Sequence, residues 1–303
     1  MNTAFLKFVE ELYTKEDILE AEPMSRHTTF RVGGPADCFL QVSSTEQLAA
    51  TIHYLNLVES EYFVLGNGSN LLVSDKGYRG VILQIGPKMS EVSVEGTLVR
   101  AQAGASMAKT ARMAMEHGLT GLEFASGIPG TIGGGVVMNA GAYGGEMKQV
   151  VESVTVLAQD GQVMVLDNEA MEFGYRTSAI KNRRFVVTEV TFRLQEGEKA
   201  AVSAKMEELA QQRKAKQPLE YPSAGSTFKR PEGYFAGKLI MDAGMRGFRI
   251  GGAQVSEKHC GFLINAANAS AQDIYDLMEE VKERVYHAFE VRLEPEVILL
   301  GEF

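Results

Sequence analysis

The chain has 303 residues, 45% of them apolar and 23% charged, which suits two or three domains with ordinary hydrophobic cores. Its net charge of −9 argues against a general nucleic-acid binder, because such proteins carry a basic footprint. The two cysteines lie far apart, the five histidines have no ligand spacing, and no apolar run approaches the roughly 18 residues of a membrane span. We therefore expect no disulfide framework, no metal ion and no membrane segment. The acidic N-terminus lacks a signal-peptide core, which predicts a cytoplasmic protein.

The first part of the chain is typical of a small α+β unit. Apolar spacing predicts one or two amphipathic helices over residues 2–20, and the capping-box pattern at Ser44 predicts a helix to about Asn56. Strands are predicted at 38–42, 62–65, 71–73 and 81–85. This unit is predicted to end near residue 86.

A second unit follows. Its predicted elements are a hairpin of strands 92–94 and 98–101, a helix over 106–117 that ends at Gly118, and strands at 151–157, 163–166 and 185–194. A polar helix over 198–216 then leads into Pro218 and Pro222, and further helices are predicted at 235–243 and 270–289, with a last strand at 297–300. The predicted domains are therefore 1–86, 87–199 and 200–303.

The stretch 126–145, here called the Gly-rich segment, contains eight glycines among twenty residues. Because glycine permits close approach of the backbone, we predict that the segment binds the phosphates and ring of a large cofactor, with bare amides over 132–135 facing the anion. The alternative is a Gly-rich turn between two strands. The GxGxxG and GxxxxGK[ST] patterns are both absent, which excludes a Rossmann or P-loop nucleotide site.

Four other groups of residues are candidates for ligand binding or catalysis. The loop 66–70 offers backbone amides with Ser69 and Asn70 to a diphosphate, although a lone loop of this kind is more often a tight turn. Arg176 lies between a tyrosine and two hydroxyl residues, which suits recognition of a carboxylate or phosphate; a solvated surface arginine is the alternative.

The other two groups lie in the C-terminal third. Ser226 stands among small residues and is followed by two cations, so it is either a proton or hydrogen-bond donor or part of a basic surface turn. Glu296 begins an apolar strand, where partial desolvation suits an acid–base role, unless its side chain faces water.

In order and spacing, these motifs resemble one family over nearly the whole chain, the UDP-N-acetylenolpyruvoylglucosamine reductases (MurB). The matching stretches are 29–34, 66–70, 127–130, 139–144, 175–178, 224–229, 250–256 and 293–297. Only about ten residues separate Arg176 from the predicted strand at 185, so the chain resembles the shorter family form, which lacks an inserted loop carrying a substrate-clamping tyrosine. Arg230 also stands where some members have asparagine.

The resemblance implies an α+β protein with the FAD-binding fold of the vanillyl-alcohol-oxidase type, made of two α+β subdomains, and a C-terminal α+β substrate-binding domain. It implies non-covalent FAD, NADPH as reductant, a UDP-sugar substrate and the formation of UDP-N-acetylmuramate for peptidoglycan. A monomer is favoured. By family position, Arg176 and Glu296 stabilise the charge that follows hydride addition, and Ser226 supplies the proton.

The resemblance also implies binding residues. Those for FAD are Asn67, Gly68, Ser69, Asn70, Leu71, Gly130, Gly133, Gly134, Asn139 and Gly141. Those for the substrate are Tyr175, Lys229, Arg230 and Gln254. Two other interpretations stay open, namely another FAD-dependent oxidoreductase of the same fold and a non-catalytic nucleotide-binding module.

Overall fold

The structure, a computed structural model, describes residues 3–303. In that range it has eight α-helices: α1 (Thr3–Leu12), α2 (Thr45–Leu57), α3 (Met107–Glu116), α4 (Ile132–Val137), α5 (Ala179–Arg183), α6 (Lys199–Lys216), α7 (Ala236–Asp242) and α8 (Ala271–Phe289). The strands are β1 (Ile18–Pro23), β2 (Pro35–Val42), β3 (Tyr62–Leu65), β4 (Leu71–Val73), β5 (Tyr78–Ile85), β6 (Val92–Glu95), β7 (Leu98–Gln102), β8 (Leu119–Thr120), β9 (Gly141–Ala142), β10 (Gly145–Glu146), β11 (Val151–Leu157), β12 (Val163–Asp167), β13 (Val186–Arg193), β14 (Gln195–Glu196), β15 (Arg249–Ile250), β16 (Ala253–Val255), β17 (Leu263–Asn265) and β18 (Ile298–Leu300).

The strands form several small sheets. The largest is antiparallel, with the order β12-β11-β13-β7-β6, and a four-stranded sheet has the order β1-β2-β5-β3 with β3 and β5 parallel. Strands β15, β16 and β17 form an antiparallel sheet, and β4 pairs with β18 in parallel. Helices and mainly antiparallel sheets are therefore mixed along the chain, as in an α+β protein.

The residues fall into two compact units with interleaved segments. Unit 1 comprises the chain up to Leu19, Cys38–Asn67 and Gly80–Arg213, and unit 2 comprises Glu20–Asp37, Gly68–Arg79 and Lys214–Phe303. Each unit has its own apolar core, which in unit 1 includes Leu83 and Phe192 and in unit 2 includes Phe30 and Ile274. The predicted division into domains 1–86, 87–199 and 200–303 stays a prediction.

Most predicted elements are present with ends shifted by one to three residues. The hydroxyl of Ser270 accepts a hydrogen bond from the Asp273 amide at the start of α8, and the Asp273 carboxylate accepts one from the Ser270 amide. Such reciprocal caps satisfy amides that the first turn leaves unpaired, which is why this helix starts where its sequence predicts. The helix α3 begins after Ser106 in a similar way, through a bond from the Lys109 amide.

The prediction for residues 2–20 is wrong in its second half. Helix α1 ends at Leu12, a short 3-10 turn follows at Lys15–Asp17, and Ile18 already belongs to β1; residue 2 lies outside the described residues. The apolar residues Phe5 and Val9 do face the core, as an amphipathic helix requires. Ile18 and Leu19 fit the same helical spacing, but sheet pairing decides their conformation, which spacing alone does not reveal.

Candidate functional site

The Gly-rich segment of unit 1 folds around the short helix α4. The amide of Ile132 donates to the carbonyl of Ala105 (2.8 Å), and that of Gly133 donates to the carbonyl of Ala103 (2.9 Å). The Gly134 amide donates to the hydroxyl of Thr131, which caps the helix (3.3 Å). The expectation of bare amides over 132–135 is therefore wrong, because neighbouring carbonyls and the cap already use them. A direct contact of Gly133 or Gly134 with FAD stays a prediction.

Glycine is unfavourable inside a helix, so its presence in α4 needs a packing reason. A Cβ on Gly133 would lie 2.9 Å from the Cβ of Ala103, closer than real side chains approach. The segment also meets the end of the loop 66–70, since a Cβ on Gly66 would overlap the hydroxyl of Thr131. The loop containing Gly66 and Asn67 and the Gly-rich segment therefore come together within unit 1, as a joint cofactor site requires.

Asn139 lies just after α4, is almost fully buried and has a left-handed backbone with φ of +42°. Its side-chain amide donates to the carbonyl of Gly174 (3.1 Å) and to the carboxylate of Glu146 (3.2 Å), and its side-chain carbonyl accepts from the amide of Lys148 (2.9 Å). Both side-chain N–H groups are thus engaged within the protein. Asn139 therefore ties the Gly-rich segment to the turn that begins at Gly174.

That turn, Gly174 to Thr177, is here called the Arg176 turn. Gly174 and Thr177 pair through their backbones, which leaves Tyr175 and Arg176 at the tip. Arg176 has a left-handed backbone with φ of +56°, and its guanidinium lies 5.3 Å from the centre of the exposed Tyr175 ring. A second tie follows the turn, since the hydroxyl of Ser178 donates to the carbonyl of Val137 (3.0 Å). The predicted charge-stabilising arginine is thus fixed to the predicted cofactor segment at two points.

Arg213, near the end of α6, is a residue that sequence reasoning missed. Its guanidinium is buried, donates to the carbonyl of Gly127 and lies 5.9 Å from the centre of the Tyr143 ring. Burial lowers the pKa of Arg213, an effect that Tyr143 opposes. Within residues 3–303, Arg213 makes no ion pair with a carboxylate. A single arginine in a polar helix gives no signal in sequence that separates it from a surface residue.

In unit 2, the rest of the loop 66–70 runs from Gly68 to Asn70 and into β4. Gly68 has φ of +58°, and a Cβ there would overlap the carbonyl of His27, so only glycine fits. The carbonyl of Gly68 accepts from the amide of Thr29 (3.2 Å). The hydroxyl of Thr29 is buried and has no hydrogen-bond partner among the described residues. A buried hydroxyl without a partner beside this loop fits a place that a polar ligand completes.

Asn70 links this loop to the chain around Glu296. Its side-chain amide donates to the carbonyl of Glu296 (3.0 Å), and its own carbonyl accepts from the amide of Ile298 (3.0 Å). The pairing continues into the parallel strands β4 and β18, with Leu71 opposite Ile298. Glu296 itself is half-buried at the start of this pairing. The predicted acid–base glutamate is therefore held against the predicted cofactor loop.

Ser226 lies on the stretch 224–229, here called the Ser226 segment, which pairs with 294–297. The amide of Glu296 donates to the carbonyl of Thr227 (2.8 Å), and Phe228 pairs with Pro295. Thr227 is fully buried and its hydroxyl accepts from the amide of Leu263 (3.1 Å), whereas Ser226 is exposed. Backbone pairing thus brings Ser226 and Glu296 onto adjacent stretches.

The predicted substrate residues of unit 2 are in different environments. Lys229 forms an ion pair with Glu294 (3.0 Å), and the guanidinium of Arg230 lies over the exposed ring of Phe235. Gln254 is buried; its amide donates to the carbonyl of Gly247 (3.3 Å), and its carbonyl accepts from the guanidinium of Arg249 (3.1 Å). Gln254 therefore supports Arg249, and a contact of its own with substrate stays a prediction.

Two kinds of feature are absent from residues 3–303. No three His, Cys, Asp or Glu side chains are grouped as a metal ion would need, and no helix has the length and apolarity to span a bilayer.

Comparison with known proteins decides the family. Residues 217–300 match the model for the C-terminal domain of UDP-N-acetylenolpyruvoylglucosamine reductase, and residues 36–167 match the model for an FAD binding domain. The UDP-N-acetylenolpyruvoylglucosamine reductase of Caldanaerobacter subterraneus subsp. tengcongensis is 50% identical over 97% of both chains. The chain belongs to the UDP-N-acetylenolpyruvoylglucosamine reductase family. The reductase of Lachnoclostridium phytofermentans is 49% identical over 100% of this chain and 99% of its own.

Solved structures agree with this family. The crystal structure of the reductase (MurB) from Thermus caldophilus matches with a TM-score of 0.81 and 36% identity, over 93% of this chain and 98% of that one. An alkyldihydroxyacetonephosphate synthase matches with a TM-score of 0.51 and 12% identity, over 65% of this chain and 41% of that one, which speaks to the fold alone. The predicted fold class, an α+β FAD-binding fold of the vanillyl-alcohol-oxidase type followed by a C-terminal α+β domain, is confirmed.

The residues present fit the FAD that this family implies. In unit 1, closely packed glycines join the loop at Gly66 to the Gly-rich segment, and Arg213 is a buried cation beside Gly127, which suits a ligand that carries negative charge. In unit 2, the Thr29 hydroxyl is buried and lacks a partner among the described residues, which suits contact with a polar group of a ligand. The chain also matches the shorter family form, because helix α5 fills the stretch between the Arg176 turn and β13 and leaves no room for an inserted tyrosine loop.

Proposed function

We propose that the chain is an FAD-dependent, NADPH-oxidising enzyme that reduces UDP-N-acetyl-3-O-(1-carboxyvinyl)-glucosamine to UDP-N-acetylmuramate, in the cytoplasmic synthesis of peptidoglycan precursors. The observation that carries the proposal is the pairing of the Ser226 segment with the Glu296 stretch, which Asn70 ties to the predicted cofactor loop. This arrangement holds an exposed hydroxyl and a half-buried carboxylate beside the place where a cofactor is expected. A nucleotide-binding module without catalysis has no need of it.

Bound FAD would supply the hydride chemistry, with NADPH as the source of the hydride and the methylene carbon of the enolpyruvyl group as its acceptor. As that C–H bond forms, the π electrons of the substrate's double bond move to the carbon beside the carboxylate and give an enolate-like state. Arg176 and Glu296 stabilise this state through charge and hydrogen bonding. Ser226 donates its hydroxyl proton to the same carbon, which completes the reduction, and solvent replaces the serine proton.

Serine is a weak acid, so its role depends on position rather than on acidity. The carbon that it protonates is strongly basic, and a fixed donor then needs little acidity of its own. The pairing of residues 226–229 with 294–297 fixes the backbone of Ser226, and the buried Thr227 next to it anchors the segment through Leu263. Precise placement of the hydroxyl follows from this support.

The other predicted contacts belong to the same proposal. The FAD contacts are assigned to Asn67–Leu71 and to the Gly-rich segment, and the substrate contacts to Tyr175, Lys229, Arg230 and Gln254. The occupant is a UDP-sugar, and the working form is taken as a monomer.

The test starts from purified protein loaded with FAD. We expect NADPH oxidation that depends on the enolpyruvyl sugar nucleotide, with UDP-N-acetylmuramate as the product identified by mass spectrometry. Protein that is yellow and oxidises NADPH but ignores this substrate would contradict the proposal in favour of another flavoenzyme. Protein that takes up no FAD would contradict both enzyme interpretations and leave the nucleotide-binding module.

A further inference from the structure

Phe235 is an aromatic side chain that the reaction scheme above does not use. It is 60% exposed, although it directly precedes α7, whose residues Leu239 and Ile240 are buried in the core of unit 2. The neighbouring Tyr234 is 47% exposed. Because α7 is packed into the core, the backbone at Phe235 is held in place while its ring is exposed to solvent.

Arg230 covers one face of this ring. Its guanidinium carbon lies 3.9 Å from the ring centre, and its Nε donates to the carbonyl of Tyr234 (3.2 Å), which fixes the arginine over Phe235. Stacking of this kind is favourable on its own and presents a planar cation beside an aromatic face. With Arg230 in place, Phe235 is still 60% exposed, so much of its side chain is accessible to a ligand.

The stretch of chain that carries Phe235 is richer in cations than the chain as a whole, although Lys229 pairs with Glu294 and Lys238 with Asp242. Residues 229–249 contain five cations and two carboxylates, whereas the whole chain has a net charge of −9. The cations of this stretch are Lys229, Arg230, Lys238, Arg246 and Arg249. A ligand that carries both an aromatic ring and negative charge complements the exposed Phe235 ring and the Arg230 guanidinium, and a nucleoside diphosphate is such a ligand.

Backbone contacts within unit 2 link the start of α7 to the Ser226 segment. The amide of Thr227, next to Ser226, donates to the carbonyl of Gly261 (2.9 Å). Gly261 in turn packs on the first turn of α7, because a Cβ on Gly237 would lie 3.1 Å from the Gly261 amide. One loop thus connects the Ser226 segment with the helix that presents Phe235.

We propose that Phe235, with Arg230 stacked behind it, is the platform on which the uracil base of the UDP-sugar stacks, while the Arg230 guanidinium faces the diphosphate. The proposal rests on the proposed function, because that function supplies the sugar nucleotide. It also gives a physical account of how a chain without the tyrosine loop holds the nucleotide end of its substrate.

The test measures binding of UDP to the FAD-loaded protein by calorimetry, with inorganic pyrophosphate as a probe that has no base. Removing an aromatic partner from a stacked base costs enough that Phe235→Ala is expected to weaken UDP binding by about ten-fold or more. Phe235→Tyr is expected to bind UDP like the wild type, and Phe235→Leu, which keeps an apolar side chain, is expected to resemble the alanine variant. Pyrophosphate binding is expected to be unchanged in all three.

Controls separate this effect from general damage. Phe289→Ala removes another exposed phenylalanine of unit 2, at the end of α8, and is expected to leave UDP binding unchanged. Arg230→Gln is expected to weaken the binding of both UDP and pyrophosphate. Thermal unfolding of every variant checks that a loss of binding is not a loss of fold. If Phe235→Ala is unstable, the UDP affinity of Phe235→Leu tests the proposal in its place.

Three results would overturn the proposal. They are wild-type UDP affinity in Phe235→Ala, equal losses for UDP and pyrophosphate in that variant, and a loss confined to NADPH-driven flavin reduction, which would assign the ring to the dinucleotide. Failure of the proposed function looks different, because the wild type itself would then not turn over the enolpyruvyl sugar nucleotide.

Discussion

The Arg176 turn of unit 1 and the Ser226 segment of unit 2 are fixed by different means. The turn holds Arg176 in a left-handed backbone, tied to the Gly-rich segment by the side chains of Asn139 and Ser178. The Ser226 segment is fixed by backbone pairing with 294–297 and by the buried Thr227. A long cationic side chain can reach a substrate from a tethered turn, whereas a short hydroxyl must be placed by its backbone.

The two regions also share one kind of contact, a hydrogen bond from an asparagine side chain. In each unit, an asparagine that belongs to a predicted cofactor element donates to the backbone of a predicted catalytic stretch, namely Asn139 to Gly174 and Asn70 to Glu296. Asn139 is almost fully buried and also hydrogen-bonds to Glu146 and to the amide of Lys148. The stretch that Asn70 contacts is held in addition by the pairing of strands β4 and β18. The comparison predicts that the turn depends more on its asparagine than the paired segment does.

The largest effect is expected at Ser226, the proposed proton donor. Ser226→Ala removes the only hydroxyl that the proposal assigns to protonation, and we expect kcat to fall by about 10²- to 10⁴-fold. Steady-state NADPH oxidation with saturating substrate measures this. Ser223→Ala, a serine change three residues away, is the matched control and should keep wild-type kcat. An equal loss in both variants would mean that the segment tolerates no change, whatever the chemistry.

Removal of the charges that are proposed to stabilise the enolate-like state is expected to lower kcat somewhat less. Arg176→Gln and Glu296→Gln each keep a polar side chain but lose the charge, and we expect kcat to fall by about 10²- to 10³-fold. Arg176→Lys tests geometry, because it restores the charge without the planar fork, and we expect it to recover only part of the rate. Full recovery by lysine would show that charge alone matters at this position.

Alanine variants of the two asparagines test how strongly each predicted catalytic stretch depends on its asparagine. Asn139→Ala frees the Arg176 turn and leaves buried partners unsatisfied, so we expect kcat to fall by about ten- to a hundred-fold. The free energy of unfolding should also fall, by about 1–3 kcal/mol. Asn70→Ala should cost less in both measurements, because strand pairing still holds Glu296. Steady-state kinetics gives kcat and denaturant unfolding gives the free energy of unfolding of the two variants. A larger effect for Asn70→Ala would contradict the expectation that the turn depends more on its asparagine.

The smallest effect lies outside the proposed site, at the start of α8. Burial pulls the pKa of the Asp273 carboxyl upward, but hydrogen bonds from the backbone amides of Ser270 and Gly252 outweigh it and hold that pKa below its ordinary value of 3.8. Since the pKa is lower in the folded state, the stabilisation is present above about pH 4 and is lost as the pH falls through the folded value. We expect Asp273→Ala to lower the free energy of unfolding at pH 7 by about 1 kcal/mol, with kcat unchanged.

The pH dependence gives the check on Asp273. Denaturant unfolding at pH 7 and at pH 3 should show a smaller difference between wild type and Asp273→Ala at the acid pH. A difference that stays constant between the two pH values would show that the carboxylate charge does not contribute.

The sequence was sufficient to predict the parts of the fold that local rules decide. The capped helices α3 and α8 and the hairpin of β6 and β7 start and end near their predicted positions, because caps and turns are coded by neighbouring residues. Strand β1 was mistaken for helix, since Ile18 and Leu19 fit a helical spacing and only sheet pairing reveals their state. The helix α4 was missed because packing against Ala103 overrides the low helix propensity of glycine.

The candidate site was predictable in its residue types more than in its contacts. Motif order pointed to Arg176, Ser226 and Glu296 through a family resemblance, and the family is confirmed, while the roles of these residues stay predictions. The engagement of Asn139 and Gln254 within the protein was not visible in sequence, because their partners at Gly174 and Arg249 are defined only by the fold. Arg213 gave no signal for the same reason.

We propose that Ser226 serves the second half of the reaction and has no part in the first. The most direct test follows flavin absorbance anaerobically, first during reduction by NADPH and then during reoxidation by the enolpyruvyl sugar nucleotide, in wild type and Ser226→Ala. We predict that reduction proceeds at the wild-type rate in the variant, while reoxidation slows by about 10²-fold or more. Equal slowing of both half-reactions, or unimpaired reoxidation, would contradict the assignment of Ser226 as the proton donor.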